Sequence, residues 1–134
     1  RIASIGTIPD AALDPVHPQT DAVQVDFPVL DPVQGEKMRE LIAEARSQGD
    51  SVGGVVECVV TGLPAGIGEP MFGGVESRIA AIVYGVPAVK GVEFGAGFAA
   101  SAMRGSDNSS LMVCVCIVGE VKSRNVHTGF AKTF

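Results

Sequence analysis

Few residues in this 134-residue chain stand in a pattern that does chemistry by itself. Gly95-Ala96-Gly97-Phe98-Ala99-Ala100 follows an apolar run and fits the G-x-G-x-x-G/A spacing. Glycines so placed let a dinucleotide pyrophosphate approach the backbone at a helix N-terminus. The context speaks against that use. The helix that follows can run only about seven residues before Gly105, too short for a crossover, and Glu120 is a poor stand-in for the acid that should end a next strand. A tight packing turn is the preferred reading. Gly62 to Glu69 is also glycine-rich but lacks the Gly-Lys-Ser/Thr ending of a phosphate-cradling loop, so it reads as a rigid connection.

The remaining reactive side chains are scattered. His17 lies in a proline-rich connection and His127 in the tail, neither with an acid and a nucleophile at recognisable spacing, so both read as exposed loop histidines. Two histidines and dispersed carboxylates form no ligand cluster, and no metal site is expected. Lys90 and Glu93 sit three apart on one apolar segment and should point to opposite faces of a strand. Lys90 there suits an edge strand or an interface better than an anion site. Cys58, Cys114 and Cys116 are odd in number, and the last two share one face of an expected strand, which disfavours a mutual disulfide. A reduced cytoplasmic protein fits them best.

Composition bounds the rest. With 46% apolar residues the chain can pack one domain, and with no Trp and one Tyr the core must come from Val, Ile, Leu and Ala. The charge is uneven: 7 basic against 14 acidic residues up to Ser110, then 3 against 1 from Leu111 on. An acidic body argues against nucleic acid, which needs a basic face to displace counterions. The longest apolar run, Leu111 to Val118, is too short for a bilayer, so no membrane partner is expected. No secretory leader is expected either. Arg1-Ile2-Ala3-Ser4-Ile5 reads like the middle of a strand, as though cut from a longer chain.

These residues need elements to hold them. Ile2 to Ile8 suggests a strand, and the five prolines from Pro9 to Pro32 an irregular connection. Asp31-Pro32 opens a helix, with Met38, Leu41, Ile42 and Ala45 as its apolar stripe, Glu36, Glu40 and Glu44 opposite, and Gly49 as its stop. Ser51 to Thr61 reads as a β-branched strand whose Gly53-Gly54 pair would admit a close backbone or helix. Val75, Ile79, Ile82 and Val83 repeat at helical spacing up to Gly85. Strands follow over Ala88 to Phe94 and Leu111 to Val118, with a polar turn at Ser106 to Ser110. Helices alternating with strands give a layered α/β or α+β fold. By spacing alone a non-catalytic, small-ligand-binding α+β module and a structural fragment that only self-associates both stay open.

Four segments carry more than spacing does: Gly49 to Glu57 (GDSVGGVVE), Gly62 to Pro70 (GLPAGIGEP), Ala88 to Phe98 (AVKGVEFGAGF) and Arg104 to Asn108 (RGSDN). In order and separation they closely resemble chorismate synthase, and Ser4 to Ile8 and the Asp-Pro before the first helix fit too. The resemblance covers about residues 1–110, which are expected to be part of that family's core domain. Residues 111–134 stay an unassigned tail.

The resemblance implies a β-α-β sandwich, helices packed on antiparallel sheets, assembled as a homotetramer. It implies the anti-1,4 elimination of phosphate from 5-enolpyruvylshikimate 3-phosphate to give chorismate, a step of the shikimate pathway toward aromatic amino acids, with reduced FMN required despite no net redox change. The family is longer. Its Gly-Ser-His-Gly and Ser-Ala/Gly-Arg-Glu-Thr segments, with their histidines and flavin contacts, have no counterpart here, and after Asn108 its glycine-rich flavin-binding stretch is not recognisable. No catalytic residue carries over, so the isolated chain is expected to be inactive. The loop of Arg104, Ser106 and Asn108, leading toward that missing stretch, is the sole candidate for proximity to a cofactor.

Overall fold

The computed structural model describes residues 1–14, 17, 26–64, 66–106 and 113–121. Helix α1, Pro32–Ser47, forms where local chemistry asks for it. Asp31 at its N-cap is extended (φ −102°, ψ 108°), and its carboxylate accepts the Val33 and Gln34 amides at 2.8 and 3.4 Å. Pro32, at the first helical position, gives up an amide that would have no partner there. At the other end Gly49 takes φ +70°, its N–H donating to the Arg46 carbonyl at 3.1 Å while the Asp50 N–H reaches back to Ala45 at 2.9 Å. That pair of bonds is a Schellman stop, and it needs a residue at ease with positive φ. Met38 is fully buried on the inner stripe, and Glu36, Glu40 and Glu44 are exposed.

The apolar run at the N-terminus is two strands, not the single strand expected. β1, Ile2–Ile5, turns back at Gly6-Thr7 into β2, Ile8–Pro9, with Ile5 facing Ile8. Gly6 has φ +55° at the first central position of this two-residue turn, a geometry that suits the twist of a hairpin. β3, Val52–Val60, pairs antiparallel with β1 on one side, and across its whole length with β5, Val113–Val121, on the other. β4, Val89–Phe94, pairs with the far side of β5, giving the order β2-β1-β3-β5-β4, antiparallel throughout. The strand expected over Leu111 to Val118 is therefore an interior strand of the sheet, between β3 and β4, displaced toward Val121. Antiparallel ladders select α+β over a doubly wound α/β sheet.

Helix α2, Val75–Tyr84, is capped by Gly74 and Gly85 with no side-chain cap. Ile42 of α1 and Val83 of α2 line one trough floored by the sheet, which puts both helices on the same face. The described residues thus give one antiparallel sheet with a helical layer on it. The core is small: Ile5, Val29 and Met38, flanked by half-buried Ile2, Ile8, Phe27, Leu41, Ile42 and Val52. Val29 reaches α1 because Gly35 has no side chain; a Cβ there would lie 2.7 Å from the Val29 methyl.

Candidate functional site

Around the expected turn, β4 ends at Phe94 and the chain passes through Gly95-Ala96 into a 3₁₀ helix, Gly97–Ala102. Gly97 has φ +52°, and the Glu93 carboxylate lies over it, Oε2 only 2.5 Å from where a Cβ would stand. A diphosphate would therefore meet a carboxylate rather than open amides. The two-turn 3₁₀ segment and the antiparallel sheet also lack the crossover a dinucleotide site is built on. A packing turn is what this motif makes.

Arg104 and Ser106, just beyond the 3₁₀ helix, are exposed, and Asn108 lies outside the described residues. The Gly62 to Pro70 connection is mostly exposed coil and approaches α2 through a Glu69–Arg78 contact of 3.6 Å. Among the described residues these segments do not line the apolar trough beside α2. Lys90 is exposed on edge strand β4, where the register with β5 shifts between Val89 and Gly91. A lysine at an edge bulge discourages further strand pairing, in line with its sequence reading. His17 is 84% exposed and stands 3.4 Å from Asp14, as a loop histidine does, while His127 is outside the described residues. Cys58 is an exposed free thiol. Among the described residues no group of three or more His, Cys, Asp or Glu could hold a metal ion.

One polar constellation escaped the sequence reading. The Arg1 guanidinium donates from Nε to Glu57 Oε2 at 2.8 Å and from one terminal nitrogen to Asp10 Oδ2 at 2.8 Å and the Ala11 carbonyl at 2.6 Å. Its other terminal nitrogen lies 2.7 Å from Glu57. Asp10, whose side chain is completely buried, also accepts the Leu30 and Asp31 amides at 2.7 and 2.9 Å. Burial works to raise the Asp10 carboxyl, but the amides of Leu30, Asp31 and Ala11 and the Arg1 guanidinium outweigh it and hold the group below its ordinary value. Asp10 so fastens the residue that caps α1 to the edge of the sheet. The bonds of the cluster run between protein groups and tie three segments together, which makes it a staple rather than a reaction centre. Its one signal in the sequence is Glu57, an acid inside the apolar run Val-Val-Glu-Cys-Val-Val.

One concavity among the described residues is apolar. An open trough of about 430 Å³ runs between α1 and α2, lined only by apolar residues. A flavin mononucleotide needs a flat apolar slot together with donors for its phosphate. Here the trough has no charged or hydroxyl-bearing side chain, and the glycine turn holds a carboxylate. The described residues therefore do not fit FMN on their own.

The chorismate synthase family profile matches residues 1–131. The chain belongs to the chorismate synthase family. The match runs beyond Ser110, where the recognisable motifs stop, and takes in β5. Among curated relatives, the chorismate synthase of Lancefieldella parvula is 50% identical over 88 residues, covering 66% of this chain and 23% of its own length. That of Aeropyrum pernix is 43% identical over 109 residues, covering 79% of this chain and 28% of its own. The chain thus spans about a quarter of the length of the chorismate synthases it matches. A solved structure titled "Crystal Structure of Chorismate Synthase" superposes with a TM-score of 0.64 at 20% identity, covering 89% of this chain and 47% of that one, a likeness of fold. No helix among the described residues is long and apolar enough to cross a membrane.

Proposed function

We infer that this chain is part of the scaffold of a chorismate synthase whose full-length form is a cytoplasmic lyase. That form would convert 5-enolpyruvylshikimate 3-phosphate to chorismate and phosphate with reduced FMN. The reaction breaks a C–O bond to phosphate, which leaves with the electron pair, and a C–H bond whose proton passes to a base, forming a new double bond with no net redox change. The observation that carries this reading is the family match over residues 1–131. No step is assigned to Arg1, Asp10 or Glu57, because each is committed to the staple. The loop of Arg104, Ser106 and Asn108 remains the part of the chain proposed to lie nearest the cofactor. The core domain is proposed to run from residue 1 beyond 110 to Val121, a reading supported by β5 pairing between β3 and β4, with the residues after it unassigned.

The isolated chain would neither turn over substrate nor hold FMN tightly, since the trough and the glycine turn lack a phosphate site. A homotetramer is proposed for the full-length form. The test is chorismate and phosphate release under anaerobic, reducing conditions, assayed on the isolated chain and on the full-length relative. Turnover by the isolated chain would refute the scaffold reading. Stabilisation of the chain by an amino acid or a nucleotide, and not by FMN, would favour the ligand-binding module instead.

A further inference from the structure

We draw no further inference here: the strongest candidate, the exposed apolar tip that Met71 and Phe72 form in the connection between β3 and α2, is an unpartnered surface, and nothing in the structure shows what covers it.

Discussion

The β1–β2–α1 end of the molecule and the α2–β4 end are built from similar residues and reach opposite results. At the first, α1 buries Met38 completely, receives Val29 beside Gly35, and is tied to the sheet through Asp31, Asp10 and Arg1. At the second, α2 has the apolar periodicity of a core helix but buries no residue, and Phe98 beyond β4 is 85% exposed. Pattern alone does not make a core; a second surface must meet it. The first end finds that surface within the chain; among the described residues the second does not.

This contrast can be broken in order of effect. Met38→Ala should cost the isolated chain about 3 kcal/mol, as other buried large-to-small changes do, read as a fall in the urea midpoint. If instead it proves nearly neutral, the first end has no core of its own. Asp10→Ala should cost about 2 kcal/mol by leaving Arg1 and two amides short of an acceptor. The Asp10 carboxyl is held below its ordinary value, so its contribution is fully present above about pH 4 and is lost as pH falls through the lowered folded value. The stability gap between wild type and Asp10→Ala should thus be constant near neutrality and close in acid; a gap that widens in acid would contradict the staple.

Asp31→Ala removes the cap of α1 and should cost about 1 kcal/mol, seen as a lower Tm with helix content kept at low temperature. Ile82→Ala should change the isolated chain by less than about 0.5 kcal/mol, because its side chain is 74% exposed. A large loss there would mean that α2 is already packed, and the contrast between the two ends would disappear.

The same contrast separates what could be read in advance from what could not. α1 was legible to its caps because Asp31, Pro32 and Gly49 act within one turn of the backbone they satisfy. β3 and β4 were legible from their β-branched runs, and Lys90 from the cost of pairing a charged edge. The Gly6 turn was hidden because Ile2 to Ile8 is apolar on both sides of it. Asp10 was hidden because its partners lie 9, 20 and 21 positions away, and no local pattern announces such a hub. Strand order was illegible for the same reason: β5 enters between β3 and β4 although it follows both. Of the candidate site, the family motifs pointed to scaffold, and the structure puts their described residues in strands and connections, with Arg104 and Ser106 exposed.

The late arrival of β5 has a consequence for how the protein is made. While the ribosome has delivered only the residues up to Phe94, β3 and β4 have no neighbour on the sides that β5 will occupy. The valine-rich β3 must wait through the whole of α2 and the 3₁₀ segment with one edge open. Unpaired edges of nascent chains invite misassociation, and pairings so distant in sequence close slowly. A chain stalled before Val113 would offer the cell a sticky half-sheet, so holding chaperones should engage this protein during synthesis rather than after it.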